Sequence, residues 1–531
     1  MRRHVLSLLN IVLIYIGLAV FCPDGATQAF QFLDPQLKKG DFSVGYKRAT
    51  INDFSATAAP RFDYQGNQIE QKHYRTVPVS YWYPSKDGTG SEQTLRNYVY
   101  SYAPGKGTDE ITDIDRQKAI ENFNGYPLQQ GAKEEDLANL LSSPVVAKKN
   151  AQPINQRFPL IVIPGGFYAN FFVAPTAEFL ASHGYVVAYI NDSASTGIAG
   201  YANEKDLLWR LADLKLAINY LAQKPFVQWN NIGVWGYHSG GSVGALLQMQ
   251  SDNVRGVVSV EGSEGWTRES TGYPLLSKNS LYDPARARVP YLRFQSLKAE
   301  PDWYISTPDK TTWAFYEQAK YADVYRIILA DSEHDDMGDG VRNKVAPGKA
   351  SAHNVEQRLL LNYGLAFFKS TLSQDRHALK AIREQPQFFG FEQDFAKLEF
   401  KAALPRPPAK HDLRREFEVG GIDALRNMVI ENLKGENPSI NTKLLGDLAQ
   451  DFVWAEKQEE KGLQIVKVAT ELFPDDYWGP YLAGVIYNRI KDYKNKRHFY
   501  TLAKQRLLDD KTFDQAQKET RLDRINKALE L

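Results

Sequence analysis

Residues 232–242 read Ile-Gly-Val-Trp-Gly-Tyr-His-Ser-Gly-Gly-Ser, a short apolar run that breaks into small residues. The apolar part predicts a buried strand, and the largely apolar residues 243–249 predict a helix directly after it. A strand that enters a helix through glycines predicts a sharp, strained turn that raises one side chain above a sheet. We call this turn the elbow and the raised residue its tip.

The sequence leaves open which residue is the tip. The residues two before and two after a tip must be small, because the turn brings their backbones close together. Gly236 and Gly240 flank His238 at this spacing, whereas Tyr237 lies two residues before Ser239. Two frames are therefore open, one with His238 at the tip and one with Ser239.

The segments around the elbow alternate between strands and helices. Residues 204–223 and 355–371 have the apolar stripe of an amphipathic helix. Short apolar runs predict strands at 158–164, 184–190, 254–260, 290–295 and 324–330, and β-like residues predict two more at 40–48 and 75–84. This alternation predicts an α/β fold, a sandwich of a mostly parallel sheet between two layers of helices.

The chain is too long for one ordinary domain, at 531 residues with 43% hydrophobic and 24% charged residues. The Pro-rich stretch at 404–408 indicates a boundary, and the sequence beyond it is helical. We expect a signal peptide at 1–29, an α/β domain at 30–403 with a lid-like insertion at 103–157, and an all-α domain at 404–531.

The N-terminus predicts export. A basic start at residues 1–4 is followed by an apolar run at 5–21, and Thr27-Gln-Ala29 is a candidate cleavage site. We expect a periplasmic or secreted protein, with an uncleaved membrane anchor as the alternative. The formal net charge is +1 and no basic stripe is present, so the sequence gives no indication of a nucleic-acid partner.

The C-terminal region shows signs of a repeat. Ala469 and Ala503 are separated by 34 residues, which is the period of a tetratricopeptide repeat. The second unit departs from that pattern at Lys496, where a small residue is expected, but is similar to it at Gly484, Tyr487, Tyr493, Tyr500 and Ala503. We therefore predict tetratricopeptide-like helices, which would offer a surface for a protein partner.

Several residues have the positions that acyl transfer requires. Such chemistry needs a nucleophile, a base, an acid that orients the base, and donors for the oxyanion. His334 follows the predicted strand at 324–330 and is the candidate base. Glu261 ends the strand after the elbow, and Glu300 or Asp302 follows the next strand, so either place is a candidate for the acid.

The chain from about residue 41 to 371 resembles the plasma-type platelet-activating-factor acetylhydrolases and their dienelactone-hydrolase-like relatives. The resemblance is carried by residues 77–84, 158–166 and 181–187 together with the elbow. It implies an α/β-hydrolase fold and hydrolysis of small or phospholipid-like esters without a metal or cofactor. It further implies that Glu261 is the acid, that His334 is the base, and that the backbone N–H of Phe167 is an oxyanion donor.

The family pattern, laid on the elbow without a gap, puts His238 where the family has its serine. A shift of one residue puts Ser239 there instead. We predict Ser239 as the nucleophile of an exported esterase, with the N–H of Gly240 as the second oxyanion donor, because Glu261 and His334 would otherwise lack a purpose. The alternative is a degenerate hydrolase domain with His238 at the tip, which serves as a binding or scaffold protein through its C-terminal helices. A third interpretation keeps hydrolysis but uses another nucleophile or an activated water.

Overall fold

The structure is a computed structural model of the chain. It describes residues 36–57, 74–101, 111–165, 170–190, 204–265, 267–268, 273–274, 276–296, 314–330, 332, 337, 341–345, 347, 350–383, 396–435 and 438–530. The predicted signal peptide lies outside these ranges. The chain divides into two compact units, Met1–Leu404 and Pro405–Leu531, which we call the N-terminal and the C-terminal unit.

The N-terminal unit contains all the strands of the described residues. They are β1 (Ser43–Thr57), β2 (Tyr74–Ser85), β3 (Lys148–Lys149), β4 (Phe158–Pro164), β5 (Val186–Ile190), β6 (Val227–Tyr237), β7 (Val254–Val260), β8 (Thr267–Arg268), β9 (Tyr273–Pro274), β10 (Tyr291–Ser296), β11 (Val324–Leu329) and β12 (Ala396–Lys401). Ten of them form one sheet in the order β12-β11-β10-β7-β6-β4-β5-β2-β1-β3, and β8 pairs with β9.

Helices cover this sheet. Those of the N-terminal unit are α1 (Leu95–Ser101), α2 (Asp113–Gln129), α3 (Glu134–Ser142), α4 (Asn170–Ser182), α5 (Glu204–Ala222), α6 (Ser239–Gln250), α7 (Ala314–Gln318), α8 (Ala350–Leu372) and α9 (Arg376–Arg383). The helices α4, α5, α6 and α7 connect strands of the parallel part of the sheet, as the alternation of the sequence predicts.

The centre of the sheet, from β5 through β4, β6, β7 and β10 to β11, is parallel throughout. The strands β1, β2 and β12 run antiparallel to their neighbours. The predicted mostly parallel sheet with helices is confirmed, and its topology is consistent with an α/β-hydrolase fold. Because parallel strands end at the same edge of a sheet, the C-terminal ends of β6, β7 and β10 lie side by side.

The central strands are buried on both faces. Along β4, Ile161 packs into one apolar cluster and Val162 into the other, because successive side chains of a strand point to opposite faces. The adjacent strand β6 repeats this division with Trp235 and Val234. Such strands read as continuous apolar runs, which explains why they are visible in the sequence.

The insertion at 103–157 contributes to the core as far as it is described. Phe123 of α2 and Leu137 of α3 are fully buried in the same cluster as Ile161. On α4 the buried carboxylate of Glu178 accepts hydrogen bonds from the Tyr98 hydroxyl (2.6 Å) and the Ala147 N–H (3.0 Å). Burial raises the pKa of Glu178. The contact with Ala147 joins the insertion to α4, and the action of the insertion as a lid stays a prediction.

The C-terminal unit is helical, as predicted. Its helices are α10 (Lys410–Lys434), α11 (Thr442–Gln450), α12 (Glu459–Leu472), α13 (Trp478–Arg489), α14 (Tyr493–Asp509) and α15 (Gln515–Glu530). Gly484 of α13 faces the ring of Tyr500 on α14 so closely that a Cβ would lie 2.9 Å from a ring carbon. This contact gives a reason for the glycine in the predicted repeat pattern. That the region is a tetratricopeptide array stays a prediction.

None of the helices in the described ranges combines the length and the apolar character that crossing a bilayer requires.

Candidate functional site

The elbow joins β6 to α6, and His238 is its tip. It lies between Tyr237, the last residue of β6, and Ser239, the first residue of α6. The backbone of His238 has φ 51° and ψ −122°, a conformation that residues other than glycine rarely adopt. Such strain costs on the order of 1–3 kcal/mol and is concentrated at functional sites.

The glycines beside the tip determine the frame. A Cβ on Gly236 would lie 2.4 Å from the carbonyl carbon of Gly240, and a Cβ on Gly240 would lie 3.2 Å from the carbonyl oxygen of Pro164. These are the two positions that must be small around an elbow tip. The structure therefore adopts the frame with His238 at the tip. In this backbone the residue with the positive φ between β6 and α6 is His238 and not Ser239, and the role of Ser239 as the nucleophile stays a prediction.

Ser239 lies in the first turn of α6 with its side chain buried. Its Oγ accepts a hydrogen bond from the guanidinium of Arg210, which is buried on α5. Arg210 was missed by the sequence analysis. The sequence feature that could have identified Arg210 is its charge within the apolar stripe formed by Leu207, Leu211 and Leu214.

Backbone hydrogen bonds connect the elbow to the end of β7. The N–H of His238 donates to the carbonyl of Val260 (3.0 Å), and the carbonyl of His238 accepts from the N–H groups of Gly241 and Ser263 (both 3.0 Å). The tip and the loop after β7 therefore form one connected structure.

Glu261 is the first residue of that loop and is buried. It also has a positive φ, of 48°. Its N–H donates to the carbonyl of Phe294 (3.0 Å), and its carboxylate accepts a hydrogen bond from the N–H of Ser296. Two strained residues, His238 and Glu261, thus lie at the ends of two adjacent parallel strands, which is the location predicted for the nucleophile and the acid.

A second buried acid in the same loop, Glu264, was also missed. Its carboxylate forms an ion pair with Arg293 and accepts hydrogen bonds from the hydroxyls of Ser259 and Tyr291. Arg293 also donates to the carbonyl of Gly262 (2.8 Å). Burial raises the pKa of the Tyr291 hydroxyl well above its ordinary value. The signal for this network is an arginine inside the apolar run of β10. Its contacts hold the loop that carries Glu261.

The remaining predicted site residues are His334, Phe167, Glu300 and Asp302, and all of them lie outside the described residues. β11, which precedes His334, ends at Leu329, and β4, which precedes Phe167, ends at Pro164.

Gly240 is described and is buried in the first turn of α6. With His238 at the tip, the N–H that follows the tip belongs to Ser239. The role of Gly240 as an oxyanion donor stays a prediction. Within the described ranges, no group of His, Cys, Asp and Glu residues has an arrangement that would hold a metal ion.

Comparison with known proteins identifies a similarity in the segment that contains the elbow. Residues 214–286 match the family described as "BAAT / Acyl-CoA thioester hydrolase C terminal". This segment runs from α5 past β7 and includes both His238 and Glu261. It supports a relationship with the ester and thioester hydrolases. No curated protein matches the chain.

Solved structures also match. A ferulic acid esterase from Streptomyces cinnamoneus aligns with 64% of this chain and 93% of its own length, at 16% sequence identity and a TM-score of 0.40.

Proposed function

We propose that the protein hydrolyses carboxylic esters or thioesters by acyl transfer, with the imidazole of His238 as the group that attacks the carbonyl. The observation that carries this proposal is His238 at the strained tip, with Gly236 and Gly240 on either side of it. Histidine is among the side chains that form covalent intermediates in enzymes. The match of residues 214–286 to an acyl-CoA thioester hydrolase family supports the same class of reaction.

In the proposed reaction, a ring nitrogen of His238 attacks the acyl carbon and negative charge develops on the carbonyl oxygen. The backbone N–H of Ser239, at the start of α6, is the first donor to this oxyanion, and the positive end of the α6 dipole adds to it. The N–H of Phe167 is proposed as the second donor, on the basis of the family resemblance. The leaving group then departs, and the acyl group remains on the imidazole.

Hydrolysis of this intermediate requires a water and a base. We propose His334 as the base and Glu261 as the acid that orients it, as the resemblance implies. Glu261 is buried and its carboxylate is fixed by the N–H of Ser296. A fixed carboxylate is suited to hold an imidazole in one tautomer and orientation.

The test is hydrolysis of a panel of acyl esters and thioesters by the purified protein and by His238→Gln and Ser239→Ala. We expect His238→Gln to lose about 10²-fold or more of kcat/KM, the usual scale for a lost catalytic group, and Ser239→Ala to keep most of it. Absence of turnover on every substrate would contradict the proposal.

The predicted Ser-His-Glu mechanism is the second candidate, and the hydrogen bond from Arg210 to the Ser239 Oγ is the observation that favours it. A guanidinium beside a hydroxyl stabilises its deprotonated form. A fluorophosphonate probe that labels Ser239, with labelling lost in Ser239→Ala and kept in His238→Gln, would support this mechanism over the first.

Export, a phospholipid-like substrate and a protein partner are further proposals. Export is supported by the sequence of residues 1–29, and the substrate by the family resemblance. A partner is supported by the separate, helical C-terminal unit. Cell fractionation and release of acyl groups from short-chain phospholipids test the first two. Loss of a co-purifying protein on truncation after Leu404 tests the third.

A further inference from the structure

We propose that one end of the C-terminal unit binds the surface of a bilayer that contains anionic lipids. The residues concerned are 488–498, which connect α13 to α14 and which we call the basic turn. The proposal is independent of the proposed reaction, because no residue of the elbow takes part in it.

The basic turn exposes two large apolar side chains. Ile490 is 44% exposed and Tyr493 is 59% exposed. The packing of α13 against α14 includes other side chains, such as the stacked rings of Tyr487 and Phe499, whose centroids are 5.3 Å apart. Exposed apolar side chains that lie close together indicate a surface that contacts another molecule or a membrane.

The backbone of the basic turn is held in one conformation. The N–H of Lys491, which has a positive φ of 62°, donates to the carbonyl of Asn488 (3.1 Å). The N–H of Asp492 donates to the carbonyl of Tyr487 (2.9 Å). The carboxylate of Asp492 caps α14 by accepting the N–H of Asn495 (3.1 Å). Because the turn is already ordered, little conformational entropy is lost when it binds.

The charge of the basic turn favours an anionic surface. Its sequence contains five basic side chains and one acidic side chain, Asp492. Lys491, Lys494 and Arg497 are exposed. The negative surface potential of an anionic membrane strengthens binding by about fivefold for each Lys or Arg close to it. The charge is therefore complementary to a bilayer with anionic lipids.

Lys496 is the residue that departs from the repeat pattern, which has a small residue at its position. The side chain is buried, and its ammonium group lies 5.8 Å from the centroid of the Tyr493 ring. A lysine can bury its hydrocarbon stem and keep its charge near the surface. Lys496 thus supports the Tyr493 ring and adds a positive charge beside it.

A third exposed apolar side chain, Trp454, lies at the same end of the unit and is 43% exposed. A Cβ on Gly462 would lie 2.2 Å from the side chain of Val453 and 3.7 Å from that of Ile486. Val453 precedes Trp454, and Ile486 lies about one helical turn before Ile490. These contacts place Trp454 and the basic turn at one end of the packed helices.

The acidic side chains near Trp454 are largely paired. Residues 454–461 contain three of them and two lysines. Glu456 forms an ion pair with Arg414 (2.6 Å), and Glu459 forms one with Arg489 of the basic turn (2.9 Å). This end of the unit therefore keeps a net positive charge.

The kinds of side chain favour a bilayer over an acidic protein. Trp and Tyr are enriched at the level of the lipid headgroups, where one part of the ring is in an apolar environment and the other in water. Lysine is a flexible point charge that needs no fixed geometry from its partner, which suits mobile lipid phosphates. Trp454, Tyr493 and Ile490 would enter the interface, with the lysines at the level of the phosphates.

The test is sedimentation of the full chain with vesicles of phosphatidylcholine alone or with about 30% phosphatidylglycerol. We expect binding to the anionic vesicles, and weaker binding at about 0.5 M salt, which screens the charges. Lys491→Gln with Lys494→Gln should weaken binding by about 25-fold, on the scale of about fivefold for each lysine. Ile490→Ser with Tyr493→Ser should weaken it by about tenfold or more. Urea denaturation should give unchanged midpoints, because all four side chains are exposed.

The matched controls lie at the other end of the helices. Lys434→Gln with Lys443→Gln removes the same charge, and Leu508→Ser removes an apolar side chain that is 52% exposed at the end of α14. Thr442, which precedes Lys443, donates a hydrogen bond to Asp476 (2.6 Å) ahead of α13, and this contact identifies the opposite end. We expect these controls to bind like the unaltered protein.

Binding that is unchanged in both variants of the basic turn would overturn the proposal, as would equal binding to vesicles with and without the anionic lipid. A co-purifying acidic protein that is lost in these variants, without any binding to vesicles, would overturn it in favour of a protein partner. None of these outcomes depends on turnover, so the proposed function is tested separately.

Discussion

The guanidinium of Arg210 on α5 donates a hydrogen bond to the Oγ of Ser239, the residue that follows the elbow tip. Both side chains are buried. The contact fixes the first turn of α6, which carries the backbone N–H of Ser239 that we propose as an oxyanion donor. In this arrangement the serine hydroxyl connects α5 with α6, and the neighbouring residue at the elbow tip is His238.

Ser239→Ala should therefore affect stability more than chemistry. Loss of a buried hydrogen bond to a charged group is expected to cost on the order of 1–3 kcal/mol, which urea denaturation measures. Turnover of a thioester should stay within about tenfold of the unaltered protein, because the backbone N–H of residue 239 is retained. Complete loss of turnover with an unchanged urea midpoint would instead favour Ser239 as the nucleophile.

Gly236→Ala should abolish activity. Its Cβ would lie 2.4 Å from the carbonyl carbon of Gly240, so the backbone of the elbow has to move. Displacement of a reacting group by about 1 Å is enough to cost on the order of 10²-fold in rate. Overpacking should also lower the free energy of unfolding by about 1–3 kcal/mol.

The matched control for this change is Gly125→Ala on α2, where no atom lies within 4 Å of the new Cβ. In a helix interior this exchange should raise stability by about 0.5–1 kcal/mol and leave turnover unchanged. Kinetics and urea denaturation of both variants check the pair. An active Gly236→Ala protein would contradict the frame of the elbow.

Substitution of two glutamates in the loop after β7 should separate effects on catalysis from effects on stability. Glu261→Gln keeps an oxygen that accepts the Ser296 N–H, so its urea midpoint should change little while kcat falls by about 10²-fold. Glu264→Gln breaks a buried ion pair with Arg293 and should cost about 3–5 kcal/mol. An unchanged kcat for Glu261→Gln would show that Glu261 serves the fold alone.

The C-terminal unit should lose stability in acid through Asp412. Burial acts to raise the pKa of this carboxyl, but hydrogen bonds from His411 and the Ala409 N–H, with the charges of His411 and Arg406, lower it to about 2. The pKa of Asp412 is lower in the folded than in the unfolded chain. The stability that its ionised carboxylate contributes is therefore present above pH ~4 and disappears as the pH falls toward about 2. Thermal melts of the full chain and of Asp412→Asn across this range check it. We expect the difference between them to shrink as the pH falls.

The sequence predicts the sheet well because its central strands are buried on both faces. Ile161 and Val162 each need an apolar environment, so the strand appears as an unbroken apolar run. Two arginines are visible in the sequence as exceptions to the surrounding apolar pattern. They are Arg210 on the helix α5 and Arg293 on the strand β10. Their partners Ser239 and Glu264 are distant in the chain, so only the folded structure identifies them.

The sequence by itself determined the α/β class and the elbow at residues 236–240, because these depend on local patterns of apolar and small residues. It did not determine the tip, since Gly236-Tyr-His-Ser-Gly-Gly241 allows two frames that differ by one residue. The tertiary structure decided it. The backbone at Gly236 comes close to that at Gly240, and the residue between them that has a positive φ is His238.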